Sequence, residues 1–262
     1  MSYQFLLIDR RGPVEYVTLN RPDVRNAFNE HVIAELTAWA KGAHGDPSLR
    51  VVVFAGAGKA FSAGADAAWM AKMAGYSEDA NVRDARAAAA MFLAINTVPA
   101  IVIGRIHGAA LGGGSGLAAV CDIVVADDAA VFGFTETKLG ILPAMISPYV
   151  VQKIGASAAR ELFLTGMRFD AVKARTIGLV HAVVPLSSLD HSVATYVTEA
   201  LSAAPTAVAR AKALIPRVLG RQPADVMDLT AEAIAAQRVS PEGQEGLNAF
   251  LQKRSPKWVI QP

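Results

Sequence analysis

Three consecutive glycines, Gly112-Gly113-Gly114, narrow what this chain can be more than any other feature. They end the stretch His107-Gly108-Ala109-Ala110-Leu111-Gly112-Gly113-Gly114, directly after a strand candidate at Ile101–Ile106. A second glycine-punctuated loop, Gly56 to Asp66, follows the apolar run Val51–Phe54 and contains Phe61-Ser62-Ala63-Gly64-Ala65-Asp66. Short, continuously apolar runs suit strands buried on both faces of a parallel sheet. Glycine lets a backbone amide approach a ligand closely and adopt dihedrals closed to other residues. The triplet also opens a helix, whose free N–H groups and dipole favour developing negative charge. Two such loops can each offer one N–H to the same oxygen, the arrangement of an oxyanion hole. Glycine loops also serve as plain tight turns, and spacing alone leaves both readings open.

The rest of the chain supplies a frame for these loops. Phe5–Asp9 and Val14–Asn20 flank Arg11-Gly12-Pro13 as a hairpin. Asn29 caps a helix whose apolar positions (Val32, Ile33, Leu36, Trp39, Ala40) recur at helical spacing. An alanine-rich helix is predicted from about Glu78 to Asn96, and Ile123–Ala126 is a further strand. Strand, glycine loop and helix occur in that order twice, which points to an α/β fold of repeated units. From Pro185 to about Phe250 the chain is helix-compatible, with breaks at Pro205, Gly220–Pro223 and Pro241. The division drawn is an α/β core with the site over residues 1–190 and a helical region over 191–262.

Composition excludes several classes. With 25 basic and 23 acidic residues the formal net charge is +2, so no whole-chain field points to nucleic acid. No long uncharged apolar run suggests a membrane span. The start of the chain reads as a first strand rather than a signal peptide, and the single cysteine, Cys121, excludes an internal disulfide; both fit a cytoplasmic protein. The five histidines never fall at metal-ligand spacing, so no metal is expected. A Rossmann fingerprint starting at Gly112 fails at Leu117, a P-loop fails at Ala60, and a nucleophile elbow around Ser115 also fails at Leu117. The 53% hydrophobic content, much of it alanine, suits a chain that buries surface in an oligomer.

At this point the motifs can be set beside a known family. LNRPDVRNAFN at 19–29, FSAGAD at 61–66, HGAALGGGSGLAAVCD at 107–122, FGFTETKLGILP at 132–143, LTGMRFDAVKARTIGLVHAVVP at 164–185 and AFLQKRSPKW at 249–258 resemble, in order and spacing, the crotonase (enoyl-CoA hydratase/isomerase) superfamily. The resemblance implies a crotonase-like spiral of ββα units, a C-terminal helical trimerisation region and a homotrimer or hexamer. It implies an acyl-CoA thioester substrate, with coenzyme A as part of that substrate and no separate cofactor. It places the N–H groups of Ala65 and Gly113 in the oxyanion hole. It also lays the Ser62–Asp66 loop (Ser62, Ala63 and Asp66) against the CoA adenine, and Arg25 near the CoA phosphates. Phe250 and Lys253 match positions that reach the CoA of a neighbouring subunit.

Hydration of a 2-enoyl thioester needs a base for water and an acid for the α-carbon, work suited to paired carboxylates. In two-glutamate hydratases of the family, one glutamate lies two residues after the glycine triplet; here that residue is Gly116. The second lies in the FGxxE segment and is present as Glu136, the expected catalytic carboxylate. Ala144 stands where dienoyl-CoA isomerases of the family carry an aspartate. Asp122 and His107 read as structural. The stretch 136–155 is similar to the 3-methylglutaconyl-CoA hydratase-like branch and related branched-chain enoyl-CoA hydratases. Three functions remain open: a one-glutamate hydratase, a Δ3,Δ2-enoyl-CoA isomerase, and a non-catalytic acyl-CoA-binding protein. The acyl-pocket candidates are Trp69, Met70, Met73, Phe134, Leu142, Met145 and Ile146.

Overall fold

The computed structural model describes residues 3–259. Strands β1 (Leu6–Arg11) and β2 (Val14–Leu19) form the expected antiparallel hairpin around Gly12. Helix α1 (Glu30–His44) starts where Asn29 Oδ1 accepts the Val32 N–H at 3.0 Å, satisfying one of the free donors at the helix start. There follow β3 (Val51–Gly56), α2 (Ala67–Met73), α3 (Glu78–Asn96), β4 (Ile101–Ile106), β5 (Ala109–Leu111), α4 (Gly113–Val120), β6 (Ile123–Asp127) and β7 (Val131–Gly133). A 3-10 turn (Glu136–Leu139) leads to α5 (Ser147–Thr165), β8 (Arg168–Asp170), α6 (Ala171–Thr176) and β9 (Ala182–Val184). The chain ends in α7 (Leu186–Ser202), α8 (Pro205–Val218), α9 (Met227–Arg238) and α10 (Pro241–Leu251). Pro205 and Pro241 each open a helix, where a missing N–H costs nothing.

Six strands form the main sheet in the order β1-β2-β3-β4-β6-β9, parallel throughout except for the β1–β2 hairpin. A second sheet, β5-β7-β8, carries the glycine triplet at the end of β5. The unbroken apolar character of β3 follows from cover on both faces. Val52 and Phe54 join the larger core with Leu36, Trp39 and Phe92, while Val51 and Val53 face α7 through Leu189, Val193 and Val197. Burying each such side chain stabilises by roughly 1.5–3 kcal/mol, which fixes α7 to the sheet. Helices α8 and α9 bury no residue of their own, and α10 buries only Ala249.

Candidate active site

The two glycine loops are joined edge to edge. The N–H of Phe61 donates to His107 O at 2.9 Å, Ser62 N–H to Ala109 O at 3.0 Å, and Leu111 N–H to Ser62 O at 3.0 Å. Glycine is required where they touch. Gly108 has φ of +60° and a Cβ there would lie 2.2 Å from Lys59 O; Gly64 has φ of +89° with Leu111 O at 2.7 Å from the same imagined atom. Phe28 clamps the first loop from its other side, donating to Gly64 O and accepting from Asp66 N–H, both at 2.7 Å.

That clamp leaves Ala65 N–H without an acceptor among the described residues. The same holds for Gly113 N–H, the first amide of α4, which has no turn before it to bond to. Ala65 and Gly113 both line one cavity of about 320 Å³, together with Glu136. Sequence reasoning therefore brought three of its site residues to the same place.

The other expected ligand contacts divide. Ala63 is half-buried and lines the cavity. Ser62 does not face a ligand: it is fully buried and its hydroxyl donates to Asn26 O at 2.9 Å, so it supports the loop. Asp66 is also buried; Oδ1 caps α2 by accepting Ala68 N–H at 2.8 Å, and Oδ2 pairs with Arg21 at 2.8 Å. Burial pushes its carboxyl up, but the Arg21 and Ala68 hydrogen bonds and the Arg21 charge outweigh this and hold it below the ordinary value. Arg25 is exposed, makes no side-chain hydrogen bond or ion pair among the described residues, and holds the loop only through its carbonyl, which accepts Ala63 N–H at 2.9 Å. Phe250 and Lys253 lie exposed at the end of α10 and do not line the cavity of their own chain. His107 Nε2 lies 2.9 Å from Gly58 O, and Asp122 accepts from Val102 N–H and Lys212 Nζ at 2.8 and 2.6 Å, so both are structural as read.

Glu136 opens the 3-10 turn after Phe134, which is anchored in the core against Phe163 and Phe169. Burial pushes its carboxyl up, and its own backbone N–H only partly offsets this. Oε2 is buried with no hydrogen-bond partner among the described residues, and Lys138 does not pair with it. An unpartnered buried oxygen is costly and is kept where chemistry uses it.

At Gly116 the space for a second carboxylate is filled. A Cβ at Gly116 would lie 2.2 Å from Ile146 Cγ2 and 3.2 Å from Phe92 Cε1. No glutamate fits there without moving both, so the missing carboxylate has become an apolar wall. Trp69, Met70, Met73, Leu142, Met145 and Ile146 line the cavity as expected; Phe134 does not, because it is wholly buried among aromatic rings. Sequence reasoning missed Asn81 and Asp84 on α3, which also line it. The signal was available: along 81–92 the cavity face of α3 runs Asn81, Asp84, Ala85, Ala88, Met91 and Phe92, two polar residues on an otherwise apolar stripe.

The geometry can now be compared with known proteins. The profile of the family described as Enoyl-CoA hydratase/isomerase matches residues 9–261. An enoyl-CoA hydratase from Shewanella pealeana superposes with a TM-score of 0.94 at 38% identity, covering 97% of this chain and 96% of its own. An enoyl-CoA hydratase/isomerase from Marinobacter aquaeolei gives 0.92 at 39% identity, with 98% and 99% covered. An enoyl-CoA hydratase from Mycobacterium smegmatis gives 0.93 at 33% identity, with 98% and 100% covered. With the family profile matched along nearly the whole chain and the fold superposing closely on these structures, the chain belongs to the enoyl-CoA hydratase/isomerase family, as an enzyme of the enoyl-CoA hydratase type with the crotonase fold.

Proposed function

We propose that this enzyme catalyses reversible hydration of a short 2-enoyl-CoA with Glu136 as its single acid–base group, in the branch of one-glutamate, branched-chain enoyl-CoA hydratases. The observation that carries it is the buried, unpartnered Oε2 of Glu136, in the same cavity as the free N–H groups of Ala65 and Gly113. Those two N–H groups polarise the thioester carbonyl and hold the enolate oxygen. Glu136 takes the proton from water as it adds to C3 and returns a proton to C2. In dehydration the same groups act in reverse. Each oxyanion donor is worth roughly 3–4 kcal/mol at the transition state. Coenzyme A enters as part of the substrate, no other cofactor takes part, and the backbone of the Ala63–Asp66 loop and Arg25 hold its polar end. The enzyme works in the cytoplasm as a homotrimer or hexamer, in which Phe250 and Lys253 approach the CoA of a neighbour.

Loss of the conjugated thioester absorbance of crotonyl-CoA or 3-methylcrotonyl-CoA near neutral pH tests this reading. Turnover that falls about 10²–10⁴-fold in Glu136→Gln supports it. A fully active Glu136→Gln rules out the mechanism. Gly113→Pro removes one oxyanion N–H, and we expect kcat to fall by at least about 10²-fold; full activity would exclude the hole.

The apolar wall at Gly116 favours one competing reading, Δ3,Δ2-enoyl-CoA isomerisation, because moving a proton between C2 and C4 needs one carboxylate and no bound water. An isomerase leaves crotonyl-CoA absorbance intact and raises it from a 3-enoyl-CoA.

A further inference from the structure

The ionisable side chains that line the acyl cavity are all acidic. Asp84 and Glu136 are its acidic lining residues, and no lysine, arginine or histidine lines it among the described residues. Asp84 is held in place: its Oδ1 accepts the indole N–H of Trp69 at 3.3 Å, and Trp69 is only 5% exposed. Asp84 forms no ion pair among the described residues, and its nearest basic neighbours along α3, Arg83 and Arg86, are exposed and do not line the cavity. The remaining walls are mostly apolar, from Met70, Met73, Met91, Leu142, Met145 and Ile146. At about 320 Å³ the space lies at the small end of ligand sites, enough for a short acyl group.

An acyl chain ending in a carboxylate would bring a third acidic group into this cavity, with no cation among its lining residues to meet it. Like charges brought together repel, and building such repulsion into a site is one way to reject a wrong ligand. An uncharged acyl chain meets no such cost. We propose that Asp84, held by Trp69, is a specificity-determining residue that restricts this enzyme to thioesters with short, uncharged acyl groups and rejects those whose acyl chain ends in a carboxylate. This rests on the hydratase-type reading of the site, and it separates this chain from diacid-using members of the branch its 136–155 segment resembles. Burial pushes the Asp84 carboxyl up, and the Trp69 hydrogen bond offsets part of this; the nearby Glu30 charge pushes it up further, as befits an acid that lacks a basic partner.

Two saturated probes test the inference without turnover: isovaleryl-CoA, which is neutral at its acyl end, and 3-methylglutaryl-CoA, which carries a terminal carboxylate on the same branched skeleton. Calorimetric titration near neutral pH is expected to give isovaleryl-CoA at least about 10-fold tighter binding. In Asp84→Asn, which keeps a partner for Trp69, that ratio is expected to shrink several-fold, chiefly through better binding of the diacid. Equal or tighter binding of 3-methylglutaryl-CoA by the unmodified enzyme, or a ratio unmoved by Asp84→Asn, overturns the inference. Parallel assays with 3-methylcrotonyl-CoA and 3-methylglutaconyl-CoA keep the two claims apart. Discrimination in binding with no hydration of any enoyl-CoA would sink the hydratase mechanism while leaving the role of Asp84 standing. Hydration that favours the diacid would do the opposite.

Discussion

Glu136 carries a conflict between stability and chemistry. Its folded-state carboxyl is raised by burial, so the folded protein binds that proton more tightly than the unfolded chain does. The sign follows: the ionised group weakens the fold as pH rises from the ordinary 4.5 through the raised value, and the penalty is absent well below 4.5. Glu136→Gln is therefore expected to raise the melting temperature at pH 7 while lowering turnover about 10²–10⁴-fold, with the gain shrinking as pH falls below the ordinary carboxylate range. The acid limb of kcat/KM is expected above 4.5, since Glu136 must be ionised to accept a proton from water. Gly116 sets the opposite constraint. Restoring a glutamate by Gly116→Glu drives its side chain into Ile146 and Phe92, so we expect a loss of roughly 1–3 kcal/mol in denaturant unfolding and no gain in hydration rate. Folding as stable as the unmodified chain would show that the wall gives way.

Elements matter here chiefly through their ends. The candidate oxyanion donors sit where β5 passes into α4 and where the 61–66 loop passes into α2; Ser115 Oγ steadies the first junction by donating to Ala110 O at 2.6 Å, and Asp66 steadies the second. Asp66 does this twice, capping α2 and pairing with Arg21, whose Nη1 also donates to Ala27 O at 2.6 Å. Asp66→Ala removes the cap and leaves Arg21 with an uncompensated charge, and a loss of about 2–4 kcal/mol is expected from urea unfolding. Because its carboxyl is held below the ordinary 3.8, the stability it contributes is present above that pH and is lost as pH falls below it. The gap between the unmodified protein and Asp66→Ala should therefore narrow on acidification; a gap independent of pH would mean that neither the ion pair nor the charged cap carries the effect. The hairpin, α1 and α3 were legible because their signals are local: a Gly-Pro turn, an Asn cap followed by apolar residues at helical spacing, and an alanine-rich run. Strand β8 and α6 were not separated in advance, since three-residue strands leave no periodicity to read.

At the scale of the whole molecule, the C-terminal helices leave several large apolar residues exposed. Leu219, Val239, Phe250 and Leu251 are 54%, 77%, 82% and 76% exposed. No helix among the described residues is long and apolar enough to cross a membrane. Subunit association is the expected cover for this surface. Sedimentation at micromolar concentration should give a species larger than a monomer, and Leu251→Asp should shift it toward smaller species; a monomer at that concentration would exclude the oligomer.

Order and spacing of short motifs were enough to recognise the family and to single out the two glycine loops and Glu136 as the candidate site, because each rests on contiguous residues whose chemistry is local. Contiguity could not say what fills the space beside Gly116, that Ser62 points inward, or that Asp84 from α3 shares a cavity with Glu136 from the segment after β7. Those facts depend on which side chains, far apart in the chain, pack into the same few ångströms, and that is settled only when the sheets and helices close around a common core.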